Sequence, residues 1–233
     1  MTKDKTERKI ELITTDDGSH SLYVPELNET YHSFHGAVQE SDHVFIKMGL
    51  DDFLNSHQNI PMINVLEVGL GTGLNALLTA QWAFEKKVKV NMTSIEAFPI
   101  DMELVKRLNY AQVLGTPNAE QWFESIHSGV WEEGLKINDW FELSKIEAKV
   151  EDYSLLDNHF DVVFFDAFAP NKQAELWEIG ILGKVFKSQS PNGIFVTYCA
   201  KGQLKRDLKS LSYEVDTLQG PPGKKEMVRG KKV

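Results

Sequence analysis

Residues 64–75 read NVLEVGLGTGLN, in which a short apolar run meets a turn with glycines at positions 69, 71 and 73. An apolar run before a glycine turn, with an apolar helix pattern after it, is typical of the first strand–turn–helix unit of an α/β domain. Backbone N–H groups of such a turn can approach an anion or a polar ligand. The stretch therefore predicts a ligand-binding sheet edge, and a glycine turn that serves only geometry is the alternative.

The spacing of the glycines separates two ligand classes. The nicotinamide fingerprint is G-x-G-x-x-G, whereas Gly69, Gly71 and Gly73 are spaced G-x-G-x-G. Glu67 stands two residues before the first of them. A carboxylate is unfavourable beside a pyrophosphate but suits a cationic ligand, because like charges repel. The motif therefore argues against an oxidoreductase that binds a nicotinamide dinucleotide.

Strand and helix patterns alternate on both sides of this turn. The strand patterns fall at 64–70, 90–98, 141–152, 161–166 and 193–199, and the helix patterns at 74–87, 172–189 and 201–211. Such alternation predicts a mostly parallel, doubly wound sheet of the Rossmann-like α/β class. No linker or repeat divides the chain, so residues 1–233 are expected to form a single domain.

Three additions to this unit are expected. They are an N-terminal extension over 1–60 with a β-hairpin turning at Asp17-Gly18, a helical insertion over about 99–140, and an antiparallel C-terminal hairpin turning at Gly-Pro-Pro-Gly, 220–223. Asp-Gly is a common pair at two-residue hairpin turns. The insertion contains Trp122, Trp131 and Trp140, which we interpret as packing residues, although an aromatic platform for a base is the alternative.

Acidic residues follow the predicted strands that come after the glycine turn. Glu96 ends the second strand, Asp152 ends the third, with Glu151 as its alternative, and Asp166 ends the apolar run VVFF. Because carboxyl ends of parallel strands meet at one sheet edge, we expect these acids to share a ligand site. Glu96 is expected to accept hydrogen bonds from ribose hydroxyls. Ordinary surface or turn acids are the alternative interpretation.

The net charge of the 233-residue chain is −9, which argues against a protein that coats nucleic acid by bulk attraction. The charge is uneven, since residues 201–233 contain nine Lys or Arg and four Asp or Glu. Screening confines each charge to about 10 Å at moderate salt. A basic end on an acidic body can therefore still contact phosphate, and a solvated tail is the alternative.

Several classes of protein are not expected. No apolar stretch reaches the roughly 18 residues of a membrane helix, and the N-terminus MTKDKTERKI lacks the apolar core of a signal peptide. Cys199 is the only cysteine, and none of the seven histidines forms an H-x-x-x-H pair. We therefore expect a cytoplasmic protein with no metal site and no membrane partner.

The segment that begins at Glu67 resembles motif I of the class I S-adenosylmethionine-dependent methyltransferases, acid-x-G-x-G-x-G. In that family the glycines pass under the amino acid and ribose parts of the cofactor. The resemblance implies S-adenosyl-L-methionine as cofactor. It places Glu67, the three glycines, Asn75, Glu96 and Asp152 in the cofactor site.

A narrower resemblance covers about residues 10–230. The segments HGAVQESDHVFI, LEVGLGTGLNALL, FFDAFAPNKQAELW and GKKEMVRG are together similar to the methyltransferase module of tRNA 5-methylaminomethyl-2-thiouridine biosynthesis. The resemblance implies methylation of the aminomethyl nitrogen of wobble uridine, with the anticodon region of tRNA as partner. Relatives often carry a flavin-dependent module, for which this chain is too short. No FAD is therefore expected here, and a separate enzyme is expected to make the aminomethyl precursor.

Two segments depart from the family pattern. Gln173-Ala174 stands where Asn-Pro is usual, and Pro221 and Pro222 stand where the family tends to have a phenylalanine and small residues. Both segments are expected to face RNA or substrate. The two departures therefore concern the substrate side of the resemblance rather than the cofactor side.

The expected roles of the remaining residues follow from this family and from their chemistry. Asp166 is the candidate catalytic residue, which would orient the amine and stabilise its positive charge. Phe168, Pro170, Tyr31 and Tyr198 are expected to wall the substrate pocket. Lys201, Lys224, Lys225 and Arg229 are the expected phosphate contacts, with Lys205 and Arg206 beside them.

Two other function classes stay open on the sequence. One is a methyltransferase or an aminopropyltransferase that acts on a small-molecule amine or a protein, which the acidic body favours. The other is a nucleotide- or RNA-binding module without catalysis.

Overall fold

The computed structural model describes residues 9–58 and 60–233. Residues 1–8 lie outside the described residues. They are part of the charged N-terminal segment in which no signal peptide is expected. A central sheet is built from β4 (Met62–Val68), β5 (Lys89–Glu96), β6 (Gly134–Lys136), β7 (Phe141–Glu147), β8 (Phe160–Phe165), β9 (Gln189–Thr197), β10 (Tyr213–Gln219) and β11 (Glu226–Lys232). A small N-terminal sheet contains β1 (Glu11–Thr14), β2 (His20–Val24) and β3 (Glu29–Thr30).

The order of the central sheet is β10-β11-β9-β8-β4-β5-β7-β6. The five inner strands, from β9 through β8, β4 and β5 to β7, pair in parallel. The outer strands β6, β10 and β11 pair antiparallel. This arrangement confirms the predicted α/β class with an antiparallel C-terminal hairpin.

Helices cover both faces of the sheet. They are α1 (Ala37–Ser41), a π-helix (Asp42–Asp51), α2 (Asp52–Ser56), α3 (Leu74–Lys86), α4 (Met102–Val105), α5 (Tyr110–Leu114), α6 (Ala119–Ser128), a 3₁₀ helix (Ala174–Trp177), α7 (Ile179–Ser188) and α8 (Gly202–Ser210). Successive strand residues point to opposite faces. In β8, Val162 and Phe164 therefore join the core under α3, whereas Val163 and Phe165 join the core under α7 and α8.

The N-terminal extension packs a continuous helical segment, from α1 through the π-helix to α2, against β8 and β9. Its Gly49 sits so close to the sheet that an added Cβ would lie 3.2 Å from the Val196 side chain and 3.3 Å from that of Phe164. The small residue therefore permits this close approach. Ahead of the helices, β1 and β2 form the predicted hairpin, to which β3 adds a short third strand.

The predicted insertion contains α4, α5 and α6, and α6 packs on α3. It ends in β6, an edge strand where the sequence pattern predicted helix. The predicted helix over 172–189 is also divided. A 3₁₀ turn ends at Trp177, Glu178 is extended with ψ 147°, and α7 then runs to Ser188. The extended residue lets the chain change direction before it packs on the sheet.

Within the described part of the chain, no helix combines the length and the apolar character that crossing a membrane requires.

Phe164 offers a test of the core on the α3 face. Its side chain has no exposed surface and lies 5.1 Å from the Phe45 ring, centroid to centroid. Phe164→Ala should lower the free energy of unfolding by about 3–5 kcal/mol, because it removes buried apolar contacts and leaves a cavity. Phe34→Ala changes a side chain that is 54% exposed and is the matched control. The stability of both variants is measured by denaturant unfolding. Equal losses in the two variants would contradict this assignment of the core.

Candidate functional site

A cavity lies at the carboxyl edge of the sheet, where β4, β5 and β8 end. It is lined by seven of the residues that the sequence singled out, namely Tyr31, Gly69, Gly71, Glu96, Asp166, Phe168 and Tyr198. The parallel register pairs Val68 of β4 with both Ile95 and Phe165. The residues that follow these strands therefore reach the cavity together.

The glycine turn that follows β4 is held very close to the loop after β8. Gly69 has φ +97°, and a Cβ on it would lie 2.6 Å from the backbone oxygen of Asp166. The Gly69 N–H donates to the Ile95 carbonyl at 2.9 Å, and the Asp166 N–H donates to the Val68 carbonyl at 3.0 Å. Glycine is thus required at position 69 both by φ and by the adjacent backbone.

Thr72, at the centre of the glycine turn, is held by two histidines from the additions to the fold. His32 Nε2 lies 2.8 Å from Thr72 Oγ1, and His127 Nε2 lies 3.1 Å from the Thr72 carbonyl oxygen. Burial lowers the pKa of each imidazole to about 4. Both rings are therefore neutral near pH 7 and act here as hydrogen-bonding supports for the turn.

Glu96 is fixed by the backbone on two sides. The Gly71 N–H donates to one carboxylate oxygen at 2.9 Å, and the Phe98 N–H donates to the other at 2.8 Å. A carboxylate oxygen can accept more than one hydrogen bond. Glu96 can therefore remain oriented by the turn while it accepts hydrogen bonds from a ligand hydroxyl.

The third acid at the site is Glu151 rather than Asp152. Strand β7 ends at Glu147, and the chain then makes a turn in which Asp152 is exposed. Glu151 lines the cavity together with Val150, and Asp152 does not line it. The sequence interpretation placed the strand end too late, because it treated a strand and the turn after it as one segment.

Asp166 follows β8 and lines the cavity. Its Oδ2 accepts a hydrogen bond from Asn75 Nδ2 at 2.9 Å. Burial, and then the nearby charge of Glu40, raise its pKa to about 7, against the opposing effects of the Asn75 hydrogen bond and Lys224. A carboxyl group with a pKa near 7 can exist in both protonation states under physiological conditions.

Glu67, Gly73 and Asn75 lie beneath the cavity and do not line it. Glu67 has no exposed surface, and Asn75 is only 3% exposed. Ser94, which is register-paired with Glu67 across β4 and β5, donates a hydrogen bond to Glu67 Oε2. Glu67, the acid that precedes the glycines in the sequence motif, is therefore separated from the cavity.

Aromatic side chains form one wall of the cavity. The Tyr31 and Phe168 rings pack edge to face with centroids 5.1 Å apart. The Phe168 carbonyl accepts a hydrogen bond from Trp177 Nε1 at 2.8 Å, which fixes the loop after β8. Pro170 lies in this loop but does not line the cavity.

A second cavity adjoins the first and shares Tyr31, His32 and Tyr198 with it. The Tyr198 hydroxyl donates to the Ala167 carbonyl at 2.8 Å. Lys224 Nζ lies 3.9 Å from the centroid of the Tyr198 ring and forms an ion pair with the buried Glu40. Lys224 therefore belongs to the wall of this second cavity and not to an open phosphate-binding surface.

The other predicted phosphate contacts fall into two groups. Arg229 is ion-paired with Asp52 at 2.5 Å and Asp216 at 2.9 Å, so its charge is already compensated. Lys205 pairs with Glu226 at 2.8 Å. By contrast, Lys201 and Lys225 are exposed, and neither is ion-paired in residues 9–58 and 60–233.

Some polar cavity residues were not identified as site residues from the sequence. They include Glu40, Thr72 and Lys172, whereas the sequence places His32 near the pocket entrance, with an ordinary loop histidine as the favoured interpretation. Glu40 and Lys224 are 184 positions apart in the chain, so no local spacing predicts their pairing. Lys172 lies in the segment FFDAFAPNKQAELW, and the family resemblance of that segment is the signal that could have identified it.

No cluster of three or more His, Cys, Asp or Glu side chains within residues 9–58 and 60–233 is arranged to hold a metal ion. The expected absence of a metal stays a prediction.

A family model described as S-adenosyl-L-methionine-dependent methyltransferase matches residues 117–233 of the chain. Among curated proteins, the tRNA 5-methylaminomethyl-2-thiouridine biosynthesis bifunctional protein MnmC of Burkholderia thailandensis is 26% identical over 230 residues, covering 94% of this chain and 34% of the relative. Its counterpart in Idiomarina loihiensis is 28% identical over 217 residues, covering 87% and 35%. The chain thus spans about a third of the length of these relatives.

A solved structure also resembles the fold. The crystal structure of MNMC2 from Aquifex aeolicus superposes with a TM-score of 0.77 at 23% sequence identity, covering 97% of this chain and 71% of that chain. At this level of identity the match supports the fold.

Gly69 and Gly180 form a matched pair for testing the glycine turn. Gly69→Ala should lower the free energy of unfolding by about 2 kcal/mol or more, because a side chain there is strained in φ and meets the Asp166 backbone. Gly180 lies in α7 with open space around its Cβ position. Gly180→Ala should be neutral or stabilising by up to about 1 kcal/mol. Denaturant unfolding measures both, and an undiminished stability of Gly69→Ala would contradict this close backbone approach.

Proposed function

Because this chain belongs to the family of S-adenosyl-L-methionine-dependent methyltransferases, we propose that it methylates the aminomethyl nitrogen of 5-aminomethyl-(2-thio)uridine at the wobble position of tRNA. The observation that carries the proposal is the position of Asp166 in a cavity that shares an aromatic wall with a second cavity. One cavity is assigned to the methyl donor and the other to the acceptor nucleotide. The sequence similarity to the tRNA-modifying relatives supports the choice of acceptor.

The residues around the first cavity fit the cofactor. Apolar walls from Val68, Ile95, Val150 and Leu176 suit an adenine ring. Glu96 could accept hydrogen bonds from ribose hydroxyls, and Gly69 and Gly71 could lie against the amino acid part of the cofactor. Glu151 takes the role that was predicted for Asp152. We assign Glu96, Glu151, Gly69 and Gly71 to direct contact with the cofactor.

S-adenosyl-L-methionine supplies an electrophilic methyl group when it is bound. An amine must be uncharged to use its lone pair, and the methylated nitrogen carries a positive charge until it loses a proton. Asp166 can accept a hydrogen bond from the amine and stabilise that charge. A carboxyl pKa near 7 also allows Asp166 to take the proton.

The second cavity suits a planar base. Three aromatic side chains, Tyr31, Phe34 and Tyr198, line it. Aromatic side chains commonly stack on unpaired RNA bases. The wobble base must leave its stack to reach such a pocket. Tyr198 is not a candidate acid, because burial raises its pKa well above 10 and its hydroxyl is held by a backbone carbonyl.

Lys201 and Lys225 are the proposed phosphate contacts. Lys201 follows the strand that delivers Tyr198, and Lys225 follows the pocket residue Lys224 in the hairpin turn. Both ammonium groups are exposed at the end of the chain that has excess positive charge. They can therefore contact the backbone of a tRNA whose wobble base occupies the second cavity.

The proposed acceptor also defines a place in a reaction sequence. A preceding reaction must expose a primary amine on the modified uridine. We propose that a separate enzyme supplies this amine and that both steps occur in the cytoplasm, where tRNA is processed.

Asp166→Asn tests the catalytic assignment. The rate of methyl transfer to tRNA that bears 5-aminomethyluridine should fall about 10²-fold or more, because the amide cannot accept the proton or balance the charge. In the unmodified protein the rate should rise with pH through about 7, where Asp166 ionises. The dissociation constant for S-adenosyl-L-methionine should change little. Asp157→Asn, an exposed change in the loop before β8, is the control, and a normal rate with Asp166→Asn would contradict the role.

Charge reversal tests the proposed tRNA surface. The double variant Lys201→Glu, Lys225→Glu should weaken tRNA binding. It should also reduce the slope of log affinity against log salt by about one for each phosphate that is no longer neutralised. The control is Lys89→Glu, Lys136→Glu, the same charge change at the opposite edge of the sheet, where β5 begins and β6 pairs with the start of β7. Equal effects of the two double variants on binding and salt slope would exclude a local phosphate site.

A further inference from the structure

An ion pair joins the first helix to the last hairpin in the wall of the second cavity. Lys224 Nζ pairs with the Glu40 carboxylate, and both side chains line that cavity. Glu40 lies in α1, whereas Lys224 lies in the turn between β10 and β11. The pair therefore places one negative and one positive group side by side against the space that we assign to the acceptor base.

Both members of the pair are held in position. The Ser33 N–H donates to Glu40 Oε2 at 2.7 Å, and Glu40 is only 5% exposed. Lys224 Nζ lies 3.9 Å from the centroid of the Tyr198 ring, and the Lys224 N–H donates to the Pro221 carbonyl at 2.9 Å. Because side chains that are already held lose little freedom when a ligand binds, this arrangement favours recognition.

The ion pair leaves hydrogen-bonding capacity on both groups. An ammonium group has three donors, and an ionised carboxylate has about four acceptor sites. Lys224 Nζ donates to Glu40 Oε1, and the other oxygen of Glu40 accepts from Ser33. The pair can therefore still offer a donor and an acceptor, side by side, to a ligand in the cavity.

Several other polar groups of this cavity are engaged elsewhere. The Thr30 hydroxyl donates to the His32 carbonyl at 2.7 Å, and His32 Nε2 lies 2.8 Å from Thr72 Oγ1. His35 Nδ1 lies 3.0 Å from the Asp16 carboxylate. The Glu40–Lys224 pair is therefore the stronger candidate for contact with a polar ligand edge.

The pair also adjoins the junction of the two cavities. Tyr198, which carries the Lys224 ammonium over its ring, lines both cavities. After burial, the charge of Glu40 raises the pKa of Asp166, and that of Lys224 lowers it. A base that extends its C5 substituent toward Asp166 therefore lies beside the ion pair.

Uracil and cytosine differ at the edge next to a C5 substituent. In uracil, O4 accepts and N3–H donates, whereas in cytosine the N4 amino group donates and N3 accepts. Enzymes that extrude a base commonly read it by hydrogen bonds to this Watson–Crick edge. An ammonium facing O4 and a carboxylate facing N3–H match uracil at both positions. With cytosine, a donor meets a donor and an acceptor meets an acceptor.

We propose that Lys224 and Glu40 read the Watson–Crick edge of the acceptor base, with Lys224 donating to O4 and Glu40 accepting from N3–H, and so select uracil over cytosine. This inference rests on the proposed methyl transfer to a wobble uridine. It assigns Lys224 to the base rather than to a phosphate. The adjacent carboxylate disfavours a phosphate here, because like charges repel, whereas a pair with no net charge suits an uncharged base edge.

Glu40→Gln is the central test, with two synthetic anticodon stem-loops that carry 5-aminomethyluridine or 5-aminomethylcytidine at the wobble position. The unmodified protein should methylate the uridine form with a kcat/KM about 10²-fold higher or more, because cytosine leaves polar groups of the pocket unpaired. Glu40→Gln should reduce this ratio to within about tenfold, since an amide, unlike a carboxylate, can also donate to the cytosine N3. A ratio near one in the unmodified protein, or an undiminished ratio in Glu40→Gln, would overturn the proposal.

The ratio separates base reading from a purely structural ion pair, whose loss lowers both rates by the same factor. The matched control is Glu226→Gln, which breaks the 2.8 Å ion pair with Lys205 in the same hairpin but does not line either cavity. It should leave the ratio unchanged. If Glu40→Gln alone fails to fold, the double variant Glu40→Gln, Lys224→Met removes both charges. Its ratio should also fall to within about tenfold, and an unchanged ratio there would contradict the proposal.

A binding measurement distinguishes this inference from the proposed function. Stem-loops with ordinary uridine or cytidine at the wobble position need no methyl transfer. The unmodified protein should bind the uridine form about tenfold more tightly, and Glu40→Gln should lose this preference. If neither aminomethyl stem-loop is methylated, the proposed function fails, and equal binding of the two ordinary stem-loops would then overturn the inference as well. If both aminomethyl stem-loops are methylated equally, the inference fails and the proposed function holds.

Discussion

The site depends on backbone pairing that continues past the ends of three parallel strands. On one side of β4, the Gly69 N–H donates a hydrogen bond to the Ile95 carbonyl. On the other side, the Val68 carbonyl accepts a hydrogen bond from the Asp166 N–H. Because these bonds fix the strand ends relative to each other, Glu96, Asp166 and the glycine turn have little freedom to separate. The absence of a side chain at Gly69 permits this arrangement, since any Cβ would meet the Asp166 carbonyl. The N-terminal extension and the helical insertion also hold the glycine turn in place, because His32 and His127 each form a hydrogen bond with Thr72.

Two different environments lie on the two sides of the glycine turn. Above it, Glu96 lines a cavity and is oriented by backbone N–H groups, as suits a group that meets a ligand. Below it, Glu67 has no exposed surface, and its Oε2 accepts a hydrogen bond from Ser94. Two glutamates from adjacent strands therefore have different chemistry, and burial rather than residue type decides which one can be charged.

Much of the fold could be predicted because its signals are local. Strand and helix periodicity indicated the order of the central elements, and the glycine turn located the ligand edge. Errors arose where a short turn interrupts a pattern, as at Glu178 and after Glu147, because local propensity does not report where packing redirects the chain. The pairing of Lys224 with Glu40 had no local signal at all. From the sequence, a lysine in a basic segment is typical of a phosphate contact. In the tertiary structure, Lys224 instead pairs with the buried acid Glu40.

That ion pair also has a consequence for the order in which the molecule assembles. Glu40 belongs to the first helix, whereas Lys224 lies in the turn of the last hairpin, between β10 and β11. Contacts of such sequence separation form only after much of the intervening chain has been ordered. Synthesis proceeds from the amino terminus, and the residues that line the first cavity end at Tyr198, before the last hairpin begins. The second cavity, which Lys224 lines, therefore needs a later part of the chain than the first cavity does.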